Sequence, residues 1–244
     1  MQRATILVIL LLAVPALVAC GKDDTPGDAA TTTATAPEAA ATATTDAVVE
    51  RSAKDGCKAV APPQPASNPD RTLSKKRLNR SRTHTAVMRT NCGTIRIRLA
   101  VRDAPKTTSS FAGLARNTFF DGLTFHRIAK PGGNDYVIQG GDPLGTGNGS
   151  PGYSVVETPS STTTYRRYDV AMAKTQAEAA GTSGSQFFIV TAEDSQLPPE
   201  YAVLGRVVGG QDVVRRIARL ETDLANEMPR DPVVISSVRI TSSN

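Results

Sequence analysis

From Thr85 to Ile240 the large apolar side chains arrive in short runs broken by glycine-rich turns, a pattern that long packed helices do not produce. Ile95, Ile97 and Leu99 alternate with Arg96 and Arg98, the period of a half-buried strand. Further runs lie at Phe125 to Ile128, Tyr136 to Gln139, Tyr153 to Val156, Val170 to Ala173, Phe187 to Thr191, Val203 to Val208 and Val233 to Ile240. Two stretches follow helical spacing instead. One begins at Pro105, where a missing N–H costs nothing, and carries Phe111, Leu114 and Ala115 as far as Arg116. The other carries Val213, Val214, Ile217 and Leu220. Many short strands with two isolated helices predict a mainly β domain, a closed antiparallel barrel whose open ends are plugged by the helices. Regular βαβ alternation is missing, which excludes a parallel nucleotide-binding sheet.

The N-terminal quarter cannot join that core. Arg3, the apolar run Ile6 to Val14 and the small-residue end at Ala19 have the layout of an export signal, too short to cross a bilayer comfortably. Leu17-Val18-Ala19-Cys20-Gly21 looks like a bacterial lipobox, in which the cysteine sulfur receives a diacylglycerol and becomes the first mature residue. The alternative is an ordinary secretory signal with an incidental cysteine. From Lys22 to about Val48 the chain is Ala, Thr, Pro, Asp and Gly in low-complexity order, a disordered spacer. Pro62-Pro63-Gln64-Pro65 and Asn68-Pro69 discourage regular structure beyond it. The expected division is signal peptide 1–19, lipid-anchored linker 20–83 and folded domain 84–244.

With Cys20 carrying lipid, Cys57 and Cys92 remain as an even pair in a disulfide-permissive compartment. Either they bridge, pinning the segment before the barrel to its early strands, or they are two free thiols. The net charge is +5, with Lys75, Lys76, Arg77, Arg80 and Arg82 between Arg71 and Arg89 and no acid among them. No aromatic side chain interleaves that run for base stacking. A solvated linker near an anionic membrane is therefore expected rather than a nucleic-acid surface.

Several enzyme signatures fail on inspection. Gly145-Thr146-Gly147-Asn148-Gly149 lacks the lysine and the following helix of a phosphate cradle and reads as a turn-rich loop. His84 and His126 have no acidic or thiol cluster at metal-ligand spacing, so no metal site is expected. Ser183 and Ser185 lack the spacing of a nucleophile elbow.

What remains is an ordered set: Phe125-His126-Arg127-Ile128, Gln139-Gly140-Gly141-Asp142-Pro143, Ala171-Met172-Ala173 and Gly184-Ser185-Gln186-Phe187-Phe188-Ile189. In this order and at these separations the segments, over about Thr85 to Ile240, resemble the cyclophilin family. The resemblance implies an eight-stranded antiparallel barrel capped by two helices, and catalysis, without a cofactor, of rotation about the bond preceding proline. That bond resists rotation by about 20 kcal/mol and turns over in roughly 10 to 100 s unaided. Nothing covalent is made or broken; what helps is loss of amide resonance, which leaves a localised lone pair on the prolyl nitrogen.

By resemblance Arg127 is the catalytic arginine, its guanidinium donating to the proline carbonyl and to the developing lone pair. Gln139 would hold a substrate carbonyl. Tyr136, Val137, Phe188 and Leu197 would form the proline pocket with Phe188 as its floor, and Tyr201 replaces a frequent histidine at the rim. Ala173 would line the groove with backbone groups, and Gln186 would border it. Gln196 stands where many members have tryptophan, which implies weak cyclosporin binding; Lys174 replaces a common asparagine and would suit an acidic residue near the proline. The expected role is folding of proline-containing exported polypeptides at the outer face of the bacterial cytoplasmic membrane, by a monomer anchored through Cys20. The competing reading is a module that binds proline segments without turnover.

Overall fold

In a computed structural model, described over residues 56–64 and 69–244, the alternation at Ile95, Ile97 and Leu99 becomes strand β2 (Gly93–Leu99), its apolar residues buried and both arginines exposed. A tight turn joins it to β1 (Thr83–Thr90). The chain continues through α1 (Pro105–Arg116), β3 (Thr124–Ala129), β4 (Val137–Asp142), β5 (Val155–Val156), β6 (Asp169–Met172), β7 (Thr182–Ser183), β8 (Phe187–Val190), β9 (Val203–Gly209), α2 (Gln211–Ala218) and β10 (Ile235–Ser243). Eight strands form one antiparallel sheet in the order β10-β1-β2-β9-β6-β8-β4-β3, while β5 and β7 pair separately. The expected signal segment, Cys20 and the stretch read as a spacer lie outside the described residues.

The inner face of the curled sheet packs on both helices. Phe111 and Leu114 of α1 and Val214 and Ile217 of α2 join Ile95, Ile138, Ile189 and Leu204 in one core. Phe187 lies at its centre, edge-on to Phe111, Phe120 and Phe125 at centroid distances of 6.0, 6.1 and 5.7 Å. These T-shaped contacts suit rings whose edges are positive and faces negative.

The closed barrel expected from sequence is not formed. β10 and β3 end the sheet, and no ladder joins them. The residues before β10 cross the gap with isolated bonds, Ile128 N–H to the Glu227 carbonyl (2.8 Å) and Phe125 N–H to that of Val233 (2.9 Å). A single bridge pairs Thr124 with Val234. Pro229 and Pro232 fall in this stretch, and a residue without N–H cannot continue a ladder. The membership of eight also differs. Only Val155–Val156 of the expected Tyr153–Val156 strand forms, and outside the main sheet, whereas β1 supplies a strand whose inward residues are His84, Ala86 and Met88. Histidine and alanine make the period-2 signal of β1 faint.

Part of the sequence read as linker lies against the domain. Cys57 and Cys92 form a disulfide, and Lys58 N–H donates to the Asn91 carbonyl at 2.9 Å beside it. Closing a loop of 35 residues stabilises the fold by about 3 to 4 kcal/mol in the chain-entropy account. Leu78 is buried, and its N–H donates to Ser109 Oγ at 3.1 Å. This segment covers the face of α1 that carries Ser109, while Ser110 meets the Tyr153 hydroxyl at 3.1 Å from another direction. The helix start has no side-chain cap of its own. Glu157, from a loop far along the chain, accepts the N–H groups of Lys106 and Thr107 at 3.1 and 2.8 Å, an anion where the helix dipole favours one.

Candidate active site

Strict alternation along β3 would place Phe125 and Arg127 on one face. They lie on opposite faces, because the pairing with β4 slips at His126: Phe125 faces Gly140 and Arg127 faces the next residue, Gln139. His126 is the extra residue of a β-bulge. Phe125 thereby enters the core, and Arg127 emerges beside Gln139 on the outer face. Bulges near functional sites re-aim a side chain in this way.

On the outer face a directed hydrogen-bond chain holds the polar groups. Arg127 Nε donates to Glu227 Oε2 at 2.6 Å and Nη1 to Gln139 Oε1 at 3.3 Å. Gln139 Nε2 donates to Gln186 Oε1 at 2.9 Å, and Gln186 Nε2 to the carbonyls of Gly147 and Gly149 at 2.8 and 2.9 Å. Each member orients the next, so the Gln139 oxygen faces the guanidinium. Gly147 and Gly149 keep their carbonyls in place because the glycine-rich loop wraps the carboxylate of Asp142. That carboxylate accepts N–H bonds from Leu144 and Thr146 at 2.8 and 2.9 Å and another from Gly147. The loop's donors thus face an internal anion.

Beside the chain, the strands' outward residues make a second apolar cluster. Val137, Phe188 and Tyr165 are buried in it, with Tyr136, Ala173, Leu197 and Tyr201 at its edge. The residues expected to form the proline pocket are brought together here. Phe188 meets the Tyr201 ring edge-on at 5.2 Å. Tyr165 was not anticipated. Its hydroxyl donates to the Tyr201 carbonyl at 2.6 Å and accepts the Tyr201 N–H at 3.0 Å, and burial pushes its pKa up to about 12. Nothing in its sequence neighbourhood marks it, because the pairing spans 36 residues. Glu227, 100 residues from Arg127, was invisible for the same reason.

Two expected residues are already partnered. Lys174 is not a free cation in the groove: its side chain is 5% exposed and its ammonium meets Glu200 at 3.1 Å and the carbonyls of Thr175 and Glu178. Ala173 uses its N–H on the Gln186 carbonyl at 2.9 Å. Gln196 is exposed at φ 50° on the turn leading to Leu197.

A groove of about 220 Å³ runs between Gln139, Gln186, Ala173 and Lys174. A larger apolar cavity of about 350 Å³ adjoins His126, Pro63, Met228 and Pro232, and holds none of Arg127, Gln139 or Phe188. Both His126 ring nitrogens are buried. Burial lowers the His126 pKa; the Asp142 charge and the Thr124 backbone oppose this and the Arg127 charge adds to it. The folded chain therefore resists a proton that the unfolded chain accepts near pH 6.5. This contribution to stability is fully present above about pH 6.5 and is lost as pH falls through the lower folded value. Thermal unfolding of the full chain should show a stability loss below about pH 6.5 that His126→Phe reduces; parallel pH curves for the two proteins would exclude His126 as its source.

The model of the family "Cyclophilin type peptidyl-prolyl cis-trans isomerase/CLD" matches residues 85–240. The peptidyl-prolyl cis-trans isomerase A of Mycobacterium tuberculosis is 38% identical over 177 residues, covering 65% of this chain and 93% of the relative. Peptidyl-prolyl cis-trans isomerase B of Streptomyces anulatus is 35% identical over 171 residues, covering 63% and 94%. A crystal structure of a cyclophilin type peptidyl-prolyl cis-trans isomerase from Cryptosporidium parvum superposes with a TM-score of 0.60 at 28% identity, covering 66% of this chain and 99% of that one. The same protein in the presence of the dipeptide Ala-Pro gives 0.58. Fold, outer-face arginine chain and these relatives agree: the chain belongs to the cyclophilin-type peptidyl-prolyl cis-trans isomerases.

Proposed function

We propose that this isomerase acts on proline-containing exported polypeptides at the outer face of the bacterial cytoplasmic membrane, as a monomer anchored through lipidated Cys20. Residues 20–83 link Cys20 to the catalytic domain 84–244, and Cys57 and Leu78 within them are held against that domain. The observation that carries the chemistry is Arg127 held beside Gln139, next to the cluster around Phe188.

The Phe188 face takes the proline ring, with Tyr136, Val137, Leu197 and Tyr201 around it. Arg127 keeps N–H groups on Nη1 and Nη2 that Glu227 and Gln139 do not take. These meet the proline carbonyl and the nitrogen lone pair that appears as the C–N bond twists. A fixed cation aimed at charge that exists only in the twisted state lowers the barrier without favouring either planar isomer. Gln139 has a second amide N–H for a substrate carbonyl, and Gln186 borders the groove. Peptide binding is supported by the Ala-Pro dipeptide named for the Cryptosporidium relative.

The test is NMR exchange spectroscopy on an Ala-Pro peptide with catalytic amounts of the full chain. Interconversion should become much faster than the unaided scale of roughly 10 to 100 s. Exchange no faster than in buffer would reduce the protein to a proline-binding module.

A further inference from the structure

Arg127 side-chain exposure is 40%, and a long flexible side chain at such a site normally samples several rotamers. Here it is clamped from the far end of the chain. Glu227 Oε2 takes the Nε–H at 2.6 Å, on the edge of the guanidinium next to the stem. The Glu227 backbone is bound at both ends. Its carbonyl accepts the N–H of Ile128, the residue after Arg127, at 2.8 Å, and its own N–H donates to the Asp223 carbonyl at 2.8 Å. Asp223 N–H in turn donates to the Met228 carbonyl at 2.8 Å. Glu227 therefore grips β3 twice, by backbone at Ile128 and by carboxylate at Arg127.

Its backbone sits at φ 58°, a left-handed conformation that is strained for a glutamate. Glycine or asparagine would fit that turn at lower cost. The side chain gives the position a use that glycine lacks. An acceptor on Nε leaves the two terminal nitrogens to point away from the stem, one of them toward Gln139. That splits the fork: one edge is held by protein, the other is presented to the groove.

We infer that Glu227 is a positioning residue for isomerisation, holding the Arg127 guanidinium through its Nε–H so that the terminal N–H groups face the substrate. The inference rests on the reading of Arg127 as the catalytic arginine. Glu227 acts through Arg127 and not on the peptide, so its removal changes the rate of the bound exchange and leaves peptide affinity alone. Its oxygen matters as an acceptor, so an amide oxygen restores most of the effect.

The experiment compares the full chain with Glu227→Ala, Glu227→Gln, Arg127→Ala and the double variant Arg127→Ala/Glu227→Ala, using NMR exchange over a range of Ala-Pro peptide concentrations. Glu227→Ala should lower kcat by roughly tenfold to a hundredfold, the scale of misplacing a catalytic group, with KM within about twofold. Glu227→Gln should recover most of kcat without changing the backbone demand at φ 58° any more than Ala does. In the Arg127→Ala background the second substitution should have no further effect. The Arg127 Nε–H resonance should shift and exchange faster with solvent in Glu227→Ala only. Parental kcat in Glu227→Ala, a change confined to KM, or additive losses in the double variant would overturn the inference while leaving the role of Arg127 intact. Full activity in Arg127→Ala would instead remove the reading on which it rests.

Discussion

Arg127→Ala should reduce kcat/KM for prolyl isomerisation by about 10²- to 10³-fold, the usual effect of deleting one preorganised donor aimed at transition-state charge. The geometry supports so large a value. The guanidinium reaches the outer face only because the bulge at His126 turns it there, and Glu227 and Gln139 fix it from two sides. The groove's lysine, Lys174, is not available to replace it, since its ammonium is bound to Glu200. Folding should survive. The Arg127–Glu227 pair is 40% and 35% exposed, and such pairs contribute about 1 kcal/mol or less to stability. Arg127→Lys should recover little, because an ammonium has no fork to divide between a fixed carboxylate and a moving substrate. Exchange spectroscopy on an Ala-Pro peptide, paired with a thermal melt of each variant, measures both quantities. Activity within threefold of the parent in a folded Arg127→Ala would move the chemistry elsewhere.

Phe187→Ala should destabilise the protein by about 3 to 5 kcal/mol, and lower its melting temperature by roughly 6 to 20 °C for a domain of this size. The ring is completely buried and touches three other phenylalanines, one from α1, one from the turn after α1 and one from β3. No small shift closes a cavity bounded by Gly140 on the neighbouring strand and by rings already in contact. Phe188, one residue further, lies on the other face of β8 against Tyr201. Its truncation should act mainly on peptide binding. Chemical denaturation of the two alanine variants checks the contrast; a loss under about 1 kcal/mol for Phe187→Ala would mean that the ring is not a core member.

The apolar run of β8 was read from sequence and Phe188 was placed by resemblance; the structure divides the run by period 2, with Phe187 and Ile189 in the core and Phe188 and Val190 on the outer face. The same reasoning misplaces Arg127 relative to Phe125, since the period breaks where an extra residue enters β3. The helix at Pro105–Arg116 has the bounds read from sequence, for its proline start and apolar spacing are local signals. The identity of its cap is not local, as Glu157 arrives from a distant loop. The segment carrying Ser74 and Leu78, read from sequence as linker, lies against α1 at Gly113 and Ser109.

By itself the sequence determined the class of fold, the order of most strands, both helices and the family, and the resemblance to that family named Tyr136, Val137, Leu197 and Tyr201 around Phe188. Fold class, strands and helices depend on apolar periodicity and turn residues, which are encoded within a few residues of one another. Only the tertiary structure decided which face Arg127 occupies, that Glu227 lies against Arg127 and Tyr165 against Tyr201, that Lys174 is paired with Glu200, and that the sheet stays open between β10 and β3. Each of these depends on a partner brought close by register or by loop path across 12 to 110 residues. Hydrogen bonds, ion pairs and ladder closure are set by distance in space, and separation along the chain carries no trace of it.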